Sequence, residues 1–196
     1  MSCRVDLLTP EAAKQAAESA NVPAAFAELN VFRLLLRRPH SAKALGDLLV
    51  SLLFRGELDA RLRELVIMRI GWATGSDYEW TQHWTIAQER FGCSRDDLLA
   101  VRDWRVAGNR FGAAERAVLG ATDETLETGT LSHATFARCQ EYLPAGALVE
   151  LVLAIGTWRL VSQLARSLEI PLEDGVASWP PEGTAPETAR ERPSRA

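Results

Sequence analysis

The stretch that decides the fold runs from residue 58 to residue 91. It reads Leu58-Asp-Ala-Arg-Leu-Arg-Glu-Leu-Val-Ile-Met-Arg-Ile-Gly-Trp-Ala73, then Thr-Gly-Ser, then Asp77-Tyr-Glu-Trp-Thr-Gln-His-Trp-Thr-Ile-Ala-Gln-Glu-Arg-Phe91. The first half holds ten apolar residues and one glycine among sixteen, so a helix there must bury most of its circumference. In the second half, apolar side chains recur at helical spacing, at Trp80, Trp84, Ala87 and Phe91. The pattern predicts two helices joined by a short turn at Thr74-Gly75.

The rest of the chain shows the same helical periodicity. Thr9 followed by Pro10 predicts a helix start, because threonine caps helices and proline suits the first helical position. Further helices are predicted at about 23–38, 41–56 with Ser41 as cap, 94–102, 113–128, 132–142 and 144–168. No segment alternates apolar and polar residues, so no sheet is predicted. The prediction is an extension at 1–8, one all-α domain at 9–172 and a disordered, proline-rich tail at 173–196.

Composition excludes several classes of protein. The net charge is −4 with no run of basic residues, which argues against binding nucleic acid or anionic membranes. No stretch approaches 18 uninterrupted apolar residues, and the start lacks the apolar segment of a signal peptide, so we expect a cytoplasmic protein without a membrane span. The three cysteines, Cys3, Cys93 and Cys139, form no C-x-x-C, which excludes a zinc ribbon and a dithiol redox centre.

Ionisable residues on the two central helices predict a site for proton transfer. Glu64 lies nine residues before Ala73 and His83 lies six after Asp77, so their heights along the hairpin differ by about 4–5 Å. Glu79 lies four residues before His83 and therefore shares its face. A histidine flanked by two carboxylates is well placed to move a proton near neutral pH.

Each of these residues also has a structural interpretation. Ser76 and Glu79 match the capping box, in which serine and glutamate satisfy the first N–H groups of a helix. Glu64 could pair with Arg61 or Arg69, and a histidine at a helix interface is more often a satisfied core residue than a catalyst.

Other polar and aromatic residues leave similar alternatives open. Tyr78, Trp80 and Trp84 could contact substrate, although core packing is the commoner role. Glu150, a carboxylate in an apolar helix, could enter the site or form an ion pair between subunits. No metal site is predicted, because Glu64, Glu79 and His83 would be a sparse ligand set.

Arg63-Glu64-Leu-Val-Ile, followed by Tyr78-Glu79-Trp80-x-x-His83-x-x-x-Ala87 and Gly92-x-Ser94, resembles the carboxymuconolactone decarboxylase family. That superfamily includes the alkyl hydroperoxidase D-like proteins. The resemblance spans about residues 32–174 and implies an orthogonal multi-helix, all-α bundle built around a helical hairpin. It also implies a homo-oligomer, a trimer or a hexamer.

The resemblance also bears on the chemistry. In the hydroperoxidase branch, a C-x-x-C pair opens the helix that carries the histidine, and an upstream glutamate completes a proton relay. Glu64 and His83 match that glutamate and histidine, whereas Ser76 and Glu79 stand at the cysteine positions and cannot form a disulfide. The Tyr-Glu-Trp-x-x-His form resembles the decarboxylase-like branch, which acts on small carboxylated lactones or carbonyl compounds without a cofactor.

Three functional hypotheses follow. The first is a cofactor-independent lyase or isomerase acting on a small organic acid, lactone or enolisable carbonyl compound. In it His83 moves the proton, Glu64 orients the histidine, Glu79 is a second acid or base, and Ser76, Tyr78, Trp80 and Trp84 contact the substrate. The second is an oligomeric binding or scaffold protein that has lost the chemistry. The third, a thiol peroxidase using Cys93, is the weakest, because no resolving cysteine lies nearby.

Overall fold

The computed structural model describes residues 3–190 and shows no strand among them. The all-α prediction is therefore confirmed for this part of the chain. In chain order the helices are α1 (Pro10–Ser19), α2 (Asn30–Leu35), α3 (Pro39–Phe54), α4 (Ala60–Thr74), α5 (Asp77–Arg90), α6 (Arg95–Ala100), α7 (Ala113–Thr128), α8 (His133–Gln140), α9 (Ala145–Ser167) and α10 (Glu187–Arg190).

The chain forms two compact units, whereas the sequence predicted one domain at 9–172. One unit comprises the chain up to Arg55 together with Leu164–Val176, and the other comprises Gly56–Gln163 together with the chain from Ala177 onward. The division falls inside α9, whose 23 residues are long enough to contribute to both units. Within the first unit, the backbone N–H of Asn30 donates to the Glu173 carboxylate at 2.8 Å. Every candidate site residue lies in the second unit.

Local signals set most helix starts correctly. The Thr9 side chain accepts the Ala12 N–H at 3.2 Å, as expected for the cap of α1. Two predicted starts or spans were wrong. The stretch predicted as one helix at 23–38 breaks at Leu29, whose extended backbone separates a 3-10 turn from α2. Helix α3 begins at Pro39 and not after Ser41, because proline already supplies a favourable first helical residue.

Helices α4 and α5 form the predicted hairpin, and two glycines allow its geometry. A Cβ at Gly71 would lie 3.0 Å from the Trp80 backbone nitrogen, so the absence of a side chain lets α5 approach α4 closely. Gly75 ends α4 in the left-handed conformation, with φ at 67°. The hairpin brings the middle of α4, which carries Glu64, beside the middle of α5, which carries His83.

The segment after residue 176 contradicts the predicted disordered tail. Trp179 is 7% exposed and packs into the core of the second unit, and α10 follows it. The Trp80 indole N–H donates to the Pro180 carbonyl at 2.8 Å. The prolines do exclude a long helix, but burial of one large aromatic ring orders the segment. Residues 191–196 of the predicted tail lie outside the described residues.

Helix α9 is long and apolar enough to cross a membrane by length and composition, which the sequence analysis did not predict. Half of its most apolar window is buried inside the structure, as is usual for a core helix of a soluble protein. Its Glu150 carboxylate accepts the Leu58 backbone N–H at 2.7 Å. Glu150 therefore ties a loop to α9, and among residues 3–190 it neither joins the site nor pairs with a cation.

Candidate active site

Glu64 and His83 meet across the α4–α5 hairpin, as expected from heights that differ by less than one helical turn. Glu64 Oε2 lies 2.8 Å from His83 Nδ1. The Glu64 side chain is fully buried, and that of His83 is 13% exposed. A carboxylate and an imidazole are thus held together in a largely water-free setting, where their interaction is stronger than at a surface.

Arg63 supplies the cation of this cluster. Its Nη2 and Nε atoms lie 3.2 Å and 3.3 Å from Glu64 Oε1, and its guanidinium stacks over Phe91 at 4.6 Å. The pairings predicted for Glu64 were wrong, because Arg61 binds Asp97 and Glu115 while Arg69 binds Asp123. Sequence reasoning passed over Arg63 because adjacent helical residues normally point about 100° apart and do not face each other.

Trp158 of α9 completes the surroundings of His83. Its indole N–H donates to His83 Nε2 at 3.2 Å, and the two rings meet edge to face. An indole can only donate, so Nε2 acts as the acceptor, and a neutral His83 carries its proton on Nδ1 and donates it to Glu64. Trp158 lies 75 residues from His83 in the chain. No spacing rule in the sequence could have paired them.

The pKa of His83 results from opposing effects. Burial lowers it, but the neighbouring carboxylates of Glu64 and Glu79 outweigh burial and leave the pKa above its ordinary value. The positive charge of Arg63 acts in the same direction as burial.

Glu79 is a buried carboxyl group near these charges. It is 3% exposed, and burial raises its pKa from 4.5 to about 7 against the opposing attraction of His83. Its Oε2 atom has no hydrogen-bond partner among the described residues. An unsatisfied buried polar atom costs about 1–3 kcal/mol, so such groups usually have a reason to persist.

Ser76 precedes α5 but does not cap it. Its side chain accepts no helix N–H, is fully buried and has an unpartnered hydroxyl in the described part of the chain. The capping-box interpretation of Ser76 and Glu79 was therefore wrong. These two residues, which stand where the hydroperoxidase branch has cysteines, present two unsatisfied oxygens near the start of one helix.

The aromatic residues of the candidate site are core residues. Tyr78, Trp80 and Trp84 are 4%, 0% and 8% exposed, and the rings of the two tryptophans lie 5.6 Å apart. The structural interpretation accounts for their packing, and contact with substrate stays a prediction.

Two of the three cysteines, Cys93 and Cys139, are buried. Burial raises the pKa of Cys93 to about 12, so its reactive thiolate form is scarce at neutral pH. Burial likewise raises the pKa of Cys139. Over residues 3–190, no group of three or more histidine, cysteine or acidic side chains is arranged to hold a metal ion.

Two surface cavities stand out, and neither is lined by Glu64, Glu79 or His83. One of about 320 Å³ lies between Arg69, Arg105 and Asp123. The other, of about 410 Å³, lies beside Lys14 and Glu28 in the first unit.

Comparison with solved structures places the fold. A variant of the debrominase Bmp8 in complex with 2,3,4-tribromopyrrole superposes with a TM-score of 0.72 at 19% identity, covering 89% of this chain and 94% of that one. An uncharacterised peroxidase-related protein with an alkylhydroperoxidase AhpD core, from Ralstonia eutropha JMP134, gives 0.71 at 16% identity over 89% and 94%. A putative antioxidant defence protein AhpD of unknown function, from Agrobacterium tumefaciens, gives 0.64 at 21% identity over 71% and 97%.

Comparison by sequence matches a shorter part of the chain than comparison by structure does. No curated protein matches the chain. Residues 39–124 match the sequence model of the carboxymuconolactone decarboxylase family, and this segment contains Glu64, Ser76, Glu79 and His83. The matched segment, 86 of the 196 residues, is thus similar to the carboxymuconolactone decarboxylase family, and the solved structures show that the chain has an AhpD-like fold.

Proposed function

We propose that the chain is a cofactor-independent lyase or isomerase that acts on a small carboxylated lactone or enolisable carbonyl compound. The observation that carries the proposal is the buried cluster in which Glu64 contacts His83 at 2.8 Å beside a second buried carboxyl group, Glu79. Pairs of titratable groups with different environments are typical of acid–base sites. Because the pKa of Glu79 is about 7, its protonated and ionised forms are both populated near neutral pH.

The only catalytic step that the protein has to supply in such a reaction is a proton transfer. In a decarboxylation, the bond between the carboxylate carbon and the adjacent carbon breaks, CO₂ leaves, and the electron pair moves into the neighbouring carbonyl as an enolate. The enolate carbon then takes the proton of the Glu79 carboxyl group, which regains one from solvent. In an isomerisation, the Glu79 carboxylate first removes a proton from carbon and then returns it to another atom.

His83 supports this proton transfer. The sequence hypothesis gave His83 the moving proton, but both of its ring nitrogens have partners, Glu64 and Trp158. We therefore assign the moving proton to Glu79, whose carboxylate form the neighbouring His83 stabilises electrostatically. Glu64 and Arg63 fix the orientation of the imidazole.

Glu79→Gln is the variant that tests the proposal. We expect it to reduce turnover at least about 100-fold, the usual contribution of a general acid or base. The assay incubates the protein in D₂O with a panel of small carboxylated lactones and β-keto acids, and follows CO₂ release and deuterium incorporation at carbon by NMR. Glu89→Gln, an exposed carboxyl on the same helix, is the matched control and should retain full activity. A folded Glu79→Gln protein as active as the wild type would refute the assignment.

A non-catalytic binding or scaffold role is the second candidate. It is favoured by two observations: neither cavity reaches the cluster, and His83 has partners at both nitrogens. If the wild-type protein neither exchanges nor decarboxylates any compound of the panel, this role replaces the enzymatic one.

We also propose that the protein is a homo-oligomer, a trimer or a hexamer, with α9 at the interface. Val149, Val152, Leu153 and Leu160 are 61%, 48%, 45% and 46% exposed. Their spacing places them along one face of α9, with the exposed Gly156 between them. A contiguous exposed apolar face of this kind usually marks a protein interface. A second copy presents the same face, and a closed ring or pair of rings would cover it in every subunit.

Leu153→Glu is expected to dissociate the oligomer, because it would place a charge in the apolar contact. Light scattering at micromolar concentration should give a multiple of 21.6 kDa for the wild type and 21.6 kDa for the variant. Val106→Glu changes an exposed residue outside α9 and should leave the mass unchanged. A monomeric wild-type protein would contradict the proposal.

A further inference from the structure

The C-terminal strap, residues 177–190, places an aromatic ring in a tryptophan-lined slot of the second unit. We define the slot by Trp72, Trp80 and Arg102. The ring of Trp179 lies 5.9 Å from that of Trp72, edge to face, and 6.3 Å from that of Trp80. The Arg102 guanidinium stacks over Trp72 at 4.6 Å and over Trp80 at 5.2 Å. The slot therefore combines two aromatic surfaces with one cation.

The strap also supplies an oxygen to the hydrogen-bond donors of the slot. The Pro180 carbonyl accepts the Trp80 indole N–H at 2.8 Å and an Arg102 Nη2 proton at 3.4 Å. The Arg102 Nε–H is buried and has no partner among the described residues. One carbonyl oxygen thus leaves one donor of the slot unused. A carboxylate, with two oxygens and a negative charge, could satisfy all three donors.

The strap is attached outside the slot. Asp77 accepts the Ser178 hydroxyl and the Trp179 backbone N–H, the latter at 3.0 Å, and Thr81 accepts the same N–H at 3.2 Å. Trp179 has a φ of 52°, in the left-handed region that bulky residues rarely adopt. Its ring is therefore held in the slot by contacts that compensate an unfavourable backbone conformation.

We propose that the slot binds a flat aromatic carboxylate, and that Trp179 and the Pro180 carbonyl occupy it as an intramolecular ligand. The ring of such a compound replaces the indole of Trp179, and its carboxylate replaces the Pro180 oxygen and reaches the free donor of Arg102. Binding displaces the strap from Trp72 and Trp80. The proposal goes beyond proton transfer at Glu79 and does not depend on it.

Titration calorimetry of the full chain with 2-naphthoate tests the proposal. We expect Trp179→Ala, which empties the slot, and Asp77→Ala, which loosens the strap outside it, to bind at least about tenfold more tightly than the wild type, a difference of 1.4 kcal/mol. Asp103→Ala, next to the slot residue Arg102 but exposed, is the matched control and should bind like the wild type. Adding Arg102→Gln to Asp77→Ala should abolish the gain, and neutral 2-naphthamide should bind more weakly than the acid.

Hydrogen–deuterium exchange on the wild type gives a second readout. Saturating 2-naphthoate should speed exchange of the amides of residues 177–190 and leave those of α7 unchanged. A folded Asp77→Ala protein without a gain in affinity, a gain that survives Arg102→Gln, or a bound wild-type protein with unchanged strap exchange would each overturn the proposal. Because the readouts are binding and exchange, failure here is distinguishable from failure of the catalytic proposal.

Discussion

Glu79→Gln should stabilise the folded protein at pH 8 by on the order of 3 kcal/mol and have little effect at pH 4. The pKa of Glu79 rises from 4.5 to about 7 on folding, mainly because burial disfavours the carboxylate. At about 1.4 kcal/mol for each pKa unit, the shift corresponds to roughly 3 kcal/mol. A raised carboxyl pKa contributes stability that is present below 4.5 and lost as the pH rises to about 7. Glutamine has no ionised form, so the variant escapes this loss.

Urea unfolding of the two proteins between about pH 4 and pH 8 measures the effect, because pH dependence from other groups cancels in the difference. The difference in unfolding free energy should grow between pH 4.5 and 7 and then level off. Glu89→Gln, exposed on the same helix, should show no such trend. A constant difference for Glu79→Gln would mean that folding leaves the pKa of Glu79 unchanged.

Trp179→Ala should lower the free energy of unfolding by about 3–5 kcal/mol, the usual cost of removing a buried tryptophan. The ring is 7% exposed and contacts Trp72 and Trp80, so its removal leaves a cavity in the core of the second unit. Val176→Ala, which removes a 43% exposed side chain nearby in the chain, should cost less than about 1 kcal/mol. Denaturant unfolding followed by circular dichroism compares the three proteins. If Trp179→Ala lowers the free energy of unfolding by less than about 1 kcal/mol, the segment is disordered in solution, as its composition suggests.

Local patterns predicted the helices well where the deciding interactions are themselves local. Helix α7 has the predicted bounds, 113–128, and the Thr74-Gly75 signal ended α4 where glycine adopts its left-handed conformation. The strap shows the opposite case. Its prolines and charged residues indicate disorder. The segment is nevertheless ordered, because Trp179 is buried against Trp72, a residue more than a hundred positions earlier in the chain.

The candidate site shows the same contrast between contacts that local sequence patterns predict and contacts that depend on tertiary packing. The 1.5 Å rise of a helix was enough to bring Glu64 and His83 together, because both belong to one hairpin. Trp158 comes from α9, and only tertiary packing brings its indole to His83. Arg63 and Glu64 are neighbours in sequence and form an ion pair. Helix geometry does not predict this pair, because adjacent residues on a helix do not face each other.

The tryptophan cluster also provides an intrinsic spectroscopic signal for displacement of the strap. Trp72, Trp80 and Trp84 form a chain of rings with centroids 5.1 Å and 5.6 Å apart, and Trp179 adds a fourth ring at 5.9 Å from Trp72. Indoles this close couple their electronic transitions, and such coupling contributes to the near-ultraviolet circular dichroism of the chain. Any event that lifts the strap removes one member of that coupled set, and near-ultraviolet circular dichroism of the unlabelled chain would register it.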